Sequence, residues 1–310
     1  MSPSTHRYLT GIRIAALSCG LPLIVWWTAR EATLAGGWRA GLVPGIVLSQ
    51  VGMLIYALRF RCVMRLVGIE LGVVDTLRIA TLGLFYQCFV PFAAGADLTK
   101  FLKLKARDHA TAPVAAGIVL DHLIGFAVLA SIAAALSAHD RPIALSVDPT
   151  RSLLVVLAVV ALGVVLGWRL VRRHLATLRS VLGLLVNQWQ RVAAAVLLAG
   201  IMHGVIAGAV WSAASSFELP IDYPTVLFVL SAASLFQAVP AQLLGIGIAE
   251  VAATALYVAV GLSPAAALLL TSVLVGYRLL MALIGGLWDL WPTTPRTPVD
   301  NDRAPHVGSL

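Results

Sequence analysis

Five charged residues stand within or beside apolar runs of this chain: Asp97, Lys100, Asp121, Glu250 and Arg278. At the centre of a membrane helix an arginine or aspartate costs about 2.5–3.5 kcal/mol on insertion scales, so such groups turn to the protein interior and pair. Together they have the chemistry to hold a charged headgroup or to exchange protons. Arg278 suits either a lipid phosphate or an ion pair with Glu250 or Asp121. Asp97 and Lys100 are three residues apart, hence neighbours on a helix, and read either as a local salt bridge or as an anion site built from Lys100 and helix-terminal N–H groups. Asp121 shares a helical face with Gly117 and Gly125, and small residues four apart admit close helix packing. It reads either as an interhelical hydrogen-bonding group or as a cavity-lining, proton-carrying one. His122 lies about 100° further round that helix and is left out of the site. His203 reads as a hydrogen-bonded packing residue. Gln87 and Gln237 have the right chemistry to bond across a bend or to line a polar path.

Other chemistries lack their residues. The three cysteines, Cys19, Cys62 and Cys88, are far apart, and the seven histidines form no HxxxH or HExxH pattern. Neither a disulfide framework nor a metal site is indicated. No nucleotide-binding motif, nucleophile elbow or paired acidic metal motif occurs. The expectation is a protein that is not an enzyme and has no cofactor, with a transferase using Asp97 or Glu250 as general base as a weaker alternative.

Two stretches that echo each other must position these residues. Phe85–Arg107 contains FYQCFVPFAAGAD, and Phe236–Glu250 is FQAVPAQLLGIGIAE. Each has an aromatic residue and a glutamine, then Val-Pro, then a glycine-bearing bend, then a carboxylate. Proline removes a backbone donor and glycine admits unusual backbone shapes, so Pro91 and Gly95, and Pro240, Gly245 and Gly247, are the expected bends. Within a bilayer freed backbone groups are tolerated only where protein or a watery cavity satisfies them. Matching broken segments in two halves point to a transporter's binding site.

The remaining elements are apolar spans. The 310 residues are 60% hydrophobic and 12% charged, with mean hydropathy +0.93, against about 25% charged in soluble domains. The fold class is therefore an all-α polytopic integral membrane protein. Full spans are expected at 11–28 (retained rather than cleaved as a signal peptide), 41–58, 113–136, 153–171, 192–214 and 265–287. An amphipathic connector is expected at about 172–191, where Leu175, Leu178, Leu182, Leu185 and Trp189 recur at helical spacing. Residues 1–291 form one membrane domain, and 292–310 read as a disordered cytoplasmic tail.

Charge sets the topology. If every apolar segment crossed, Arg169–Arg191 with its five arginines would lie outside, against the positive-inside rule. Two oppositely oriented re-entrant helical hairpins, at about 77–107 and 225–261, bring the cluster Arg59, Arg61 and Arg65, the run Lys100–Arg107 and Arg169–Arg191 to the cytoplasmic side. Lys103, Lys105 and Arg107 then serve as anchors. The result is about six spans plus two hairpins, with both termini cytoplasmic. The net charge of +8 points to anionic lipid headgroups rather than nucleic acid.

From about Arg59 to Leu287 the residues resemble the flippase-like membrane region of lysylphosphatidylglycerol synthetases and its stand-alone relatives. The resemblance rests on the arginine cluster after the second span, on Pro91, Gly95 and Asp97, and on Asp121 with Gly125. In the second half it rests on Pro240, the Gly245-Ile246-Gly247 bend, Glu250 and Arg278. The family's Gly-Gly-Asp followed by Arg appears here as Ala94-Gly95-Ala96-Asp97 followed by Lys100, and its Asp-Arg pair as Asp121-His122. The chain has no room for the soluble aminoacyl-transferase domain, so the resemblance is to a stand-alone member. It implies lipid translocation or lipid handling in the bacterial inner membrane, with a charged or sugar-bearing headgroup carried between the hairpins. The alternative is a non-transporting accessory subunit whose partner is a lipid- or glycan-modifying enzyme.

Overall fold

A computed structural model describes residues 42–89, 95–138, 183, 186–238, 242–243 and 246–290. The expected spans at 11–28 and 153–171, most of the connector, the tail, and the bend residues Pro91, Pro240 and Gly245 lie outside these residues. The described helices are α1 (Leu42–Leu66), α2 (Val73–Phe89), α3 (Gly95–Lys105), α4 (Thr111–Ala138), α5 (Trp189–Ser216), α6 (Tyr223–Ser234), α7 (Ile248–Ala259) and α8 (Pro264–Leu290). Among them α1, α4, α5 and α8 are long and apolar enough to cross a membrane.

Local chemistry explains where the helices begin and end. The Asp222 carboxylate accepts from the Thr225 N–H at 3.1 Å and Pro224 follows it, a helix-starting pair that fixes α6. At the other ends, α1, α5 and α7 reverse through Gly68, Glu218 and Gly261, all at positive φ. Each reversal lets the next N–H reach back across the last turn: Ile69 to Met64 O, Leu219 to Ala214 O and Leu262 to Tyr257 O. Hydroxyls inside helices bond to carbonyls one turn back, as Thr76, Thr81 and Thr99 do, which satisfies them without water.

Several boundaries differ from the sequence-based expectation. Helix α1 runs eight residues past Leu58, because Arg59–Leu66 continues a helical pattern of large side chains up to the Gly68 stop. Helix α2 starts at Val73 rather than Leu77, and α5 at Trp189 rather than Val192. The second bend is also not a simple one. A 3-10 turn, Leu235–Ala238, leads to a two-residue antiparallel ladder in which Gln242 faces Gly247 and Leu243 faces Ile246.

The helices pack as two reciprocal halves. Helices α1 and α5 pack against each other, α2 packs on α8, and α6 packs on α4. Within each half the short helices pair, α2 with α3 and α6 with α7. The α1–α5 seam is antiparallel: Cys62 Sγ lies 3.3 Å from Arg191 O near one end, while a Cβ on Gly45 would stand 2.8 Å from Ala209 O near the other. Helices α2 and α8 are antiparallel too, with Arg78 Nη2 donating to Trp288 O at 2.8 Å. Exchange of the first short helix onto the last span of the other half, about an antiparallel central seam, is the contact pattern of an inverted repeat.

Small residues set the approach at the seams. A Cβ on Gly95 would come 2.8 Å from Tyr86 O, so the α2–α3 pair closes only over glycine. On α8, Gly285 faces the Thr81 carbonyl and Gly286 the Phe85 ring. Gly285→Ala should therefore lower the melting temperature of the detergent-solubilised protein, by the equivalent of about 1–3 kcal/mol for an overpacked contact. Gly276→Ala, on the same helix with no atom of the described residues within 4 Å of the added Cβ, should leave it unchanged or slightly raised. Circular dichroism melts of the two variants check this.

Candidate functional site

The charged residues fall into two groups, one in each half. The first is built on α1, α3 and α4. Arg59 Nη2 donates to Asp121 Oδ2 at 3.0 Å, and their side chains are only 6% and 2% exposed. A turn of α3 presents Asp97 and Lys100 to the same region, with Lys100 Nζ 3.3 Å from Asp97 Oδ1. Lys100 is buried and stands over two α1 rings, 5.3 Å from the Tyr56 centroid and 5.0 Å from that of Phe60. Arg59 also lies over Tyr56, at 5.2 Å, so two cations share one aromatic face system, a favourable placement where water is excluded. Asp121 is within electrostatic reach of Lys100, which joins the two ion pairs into one network.

The network has a sealed side and an open side. His122 Nε2 is 2.8 Å from Asp97 Oδ2, and these side chains are 48% and 34% exposed. Around them Leu98 and Leu102 of α3 and Val119 and Leu123 of α4 are exposed apolar residues. The polar Asp97–His122 pair therefore sits at an apolar outer surface, while Arg59, Lys100 and Asp121 lie behind it. Inside, Arg59 Nε and Asp121 Oδ1 are buried with no hydrogen-bond partner among the described residues.

The second group is built on α7 and α8. Glu250 is the third residue of α7; its Oε2 accepts from Gly247 N–H at 2.6 Å, which caps the helix, and its Oε1 accepts from the Arg278 guanidinium. Glu250 is 4% exposed. The hydroxyls of Thr254 and Thr271 bond at 2.9 Å one turn along, tying α7 to α8. Cys88, near the end of α2, is within electrostatic reach of both Arg278 and Glu250, and α2 touches the Gln242–Leu243 strand. The far end of the α2–α3 pair thus meets the corresponding end of the α6–α7 pair.

The two groups correspond in position. Asp97 is the third residue of α3 as Glu250 is of α7, each acid in the first turn of its pair's second helix. The halves differ in their cations. Lys100 is on the same helix as its acid, whereas Arg278 comes from the span that follows. Gln87 is half-buried near the end of α2, and Gln237 is exposed on the 3-10 turn.

Four residues of these groups were not singled out for the site from the sequence. Arg59 was counted with Arg61 and Arg65 as a flanking cluster, yet it is 5% exposed and inside the bundle. The signal for it was Asp121 itself: Gly117 and Gly125 on the Asp121 face admit α1, and Gly125 gives the Arg59 guanidinium room at 3.2 Å. Tyr56, one turn before Phe60, carries both cations. His122 was left out because it is off the Asp121 face; it is off that face, but its own face meets Asp97. His203, expected to be hydrogen-bonded, has a buried Nε2 with no partner among the described residues, and Arg59 is within electrostatic reach of it.

Breaking a buried pair strands a charge, at about 3–5 kcal/mol. Arg59→Met or Asp121→Leu alone should destabilise the protein by about that much, and the double variant should recover most of the loss. Denaturation in mixed micelles, run as a double-mutant cycle, tests this; equal and additive losses would show the pair to be uncoupled.

The comparisons with known proteins bear on the whole chain. A sequence model of one family, described as the lysylphosphatidylglycerol synthase TM region, matches residues 10–286, a span that takes in all eight helices except the last residues of α8. No curated protein and no solved structure matches the chain. With a match of that length, and with long apolar helices where a membrane region needs them, the chain belongs to the lysylphosphatidylglycerol synthase TM-region family.

Proposed function

We propose that the chain moves amphipathic lipids between bilayer leaflets, the headgroup passing through the polar interior between the α2–α3 and α6–α7 pairs while the acyl chains stay in lipid. The observation that carries this reading is the placement of Asp97 and Glu250 at equivalent first turns, each paired with a cation inside an apolar bundle. Charges kept at such depth usually mark a pathway.

Several features support re-entrant pairs. At about 1.5 Å per residue, α2 with 17 residues and α3 with 11 are each shorter than the roughly 30 Å hydrocarbon core. The Arg107–Asp75 ion pair, at 2.8 Å, brings the end of α3 back to the start of α2. Arg61, Arg65, Arg78, Lys103, Lys105 and Arg191 gather at this same end, which the positive-inside rule makes cytoplasmic. On this reading the membrane is the bacterial inner membrane that the family resemblance implies.

The Asp97–His122 edge is the natural door for a headgroup. An anionic group reaching Lys100 must displace Asp97, and Asp97 already has a second partner in His122 to hold it. The exchange leaves no carboxylate stranded. Lysine offers a point charge where arginine offers a planar fork, which suits a headgroup bound by charge more than by bidentate geometry. Without a nucleotide-binding motif, the driving force comes from a gradient, a downstream sink or a partner.

The test follows fluorescent lipids in proteoliposomes by leaflet-selective quenching, across anionic, aminoacylated, glycosylated and polyisoprenyl headgroups. The intact protein should move at least one class, and Glu250→Gln or Arg278→Ala, if still monodisperse, should slow it by about tenfold or more, the effect of losing one buried charge contact. No movement of any lipid would overturn the proposal. It would favour the accessory-subunit role, to be followed by copurification of a lipid- or glycan-modifying enzyme.

A further inference from the structure

We infer that a groove at the basic end of the α1–α5 seam binds the phosphate of an anionic phospholipid, at a site apart from the translocation path and independent of it. The groove has a volume of about 230 Å³ and is lined by Leu58, Arg61, Cys62, Arg65, Arg191 and Leu198. The first four recur at i, i+3, i+4 and i+7, one face of α1. Arg59 lies on another face, turned to Asp121.

The three arginines differ from the cations of the ion pairs described above. Arg59, Lys100, Arg107 and Arg278 each meet a carboxylate. Among the described residues, no carboxylate pairs with Arg61, Arg65 or Arg191. Arg61 Nε donates to Leu71 O at 2.7 Å, and Arg191 Nη1 to Gln188 Oε1 at 2.7 Å and more weakly to Arg65 O at 3.4 Å. Arg65 Nε is buried with no hydrogen-bond partner among the described residues. Amide and carbonyl oxygens orient a guanidinium but do not neutralise it. Three like charges converging beside an apolar wall repel one another, and a phosphate oxygen set among them removes that cost while meeting arginine's fork geometry.

The apolar half of the groove selects a lipid over free phosphate. Leu58 ends an exposed row of α1, Val47, Val51, Leu54 and Leu58, and Leu197 and Ile201 are exposed on α5 beside Leu198. An acyl chain leaving the phosphate would run along this surface. Basic pockets between transmembrane helices on the cytoplasmic side are known to take anionic headgroups. Two of the arginines are on α1 and one on α5, so the bound phosphate cements the seam on which the two halves meet.

Native mass spectrometry of the full chain, released from nanodiscs of phosphatidylglycerol and phosphatidylcholine, tests the site. The wild type should retain one phosphatidylglycerol with at least about a tenfold preference. Arg65→Gln/Arg191→Gln should bring that preference close to one, and so should Leu198→Trp, which fills the groove without removing charge. Lys103→Gln/Lys105→Gln, at the same end but outside the groove, should keep it. Equal retention of both lipids by the wild type, equal loss in the Lys103/Lys105 variant, or displacement of the lipid by millimolar inorganic phosphate would each overturn the inference. Because neither groove variant touches Asp97, Lys100, Glu250 or Arg278, a failure here is distinguishable from a failure of translocation.

Discussion

A charge held inside an apolar helical bundle must lie beside its opposite, and in this chain that requirement decides which helices meet. Asp121 of α4 draws in Arg59 of α1, and Glu250 of α7 draws in Arg278 of α8. Neither pair joins neighbouring residues; the first locks together helices well apart in sequence, and the second fixes two consecutive helices against each other. Apolar packing alone would leave their register loose, because a lipid tail is as good a neighbour for leucine as another leucine is. The ion pairs act in a medium where a misplaced partner is expensive, so they fix register where hydrophobicity does not.

Close backbone approach does the complementary work. At Gly95 the chain passes so near Tyr86 O that a methyl group would not fit, and at Gly45 the α1–α5 seam is similarly close, with Ala209 O at 2.8 Å from an added Cβ. These glycines lie at the contacts that define the reciprocal packing of the halves. Where the helices do not touch so closely, as at Gly200 and Gly276, a Cβ would meet nothing among the described residues. The glycine count of the chain is therefore a poor guide to its seams; the partner across each glycine is what matters.

Much of the helical plan was legible in the sequence. Three of the four long helices stand within a few residues of the apolar runs that announced them, and α1 begins with its run but continues eight residues past it, because a run of twenty apolar residues has few other uses. The third-residue acids of α3 and α7 were visible through the echo of Val-Pro, glycine and carboxylate. Arg59 was not, because a positively charged cluster at the end of an apolar run reads as a membrane boundary, and composition does not say that the helix continues to Leu66. His122 was missed for a different reason. A helix has several faces, and Gly117 and Gly125 mark only the Asp121 face of α4, whereas α4 touches α1 on one side and α3 on the next. The two-residue ladder at Gln242–Gly247 carries no periodic signal at all, since two residues are too few to show one.

The two halves share a plan but not a state of exposure, and the difference bears on how such a protein could work. Glu250 is spoken for on both oxygens, by the Gly247 N–H and by Arg278, and it is buried. Asp97 is also engaged twice, by Lys100 and His122, but it stands at an outer edge among exposed leucines. Freeing Glu250 would uncap a helix and break the Arg278 ion pair, whereas loosening Asp97 from Lys100 leaves it bonded to His122. On the translocation reading, exchange therefore begins in the first half, and the second half is the firmer wall against which it occurs. On that reading the two equivalent acids are not used symmetrically: Glu250 is committed to holding its helix in place, and Asp97 is left to do the binding.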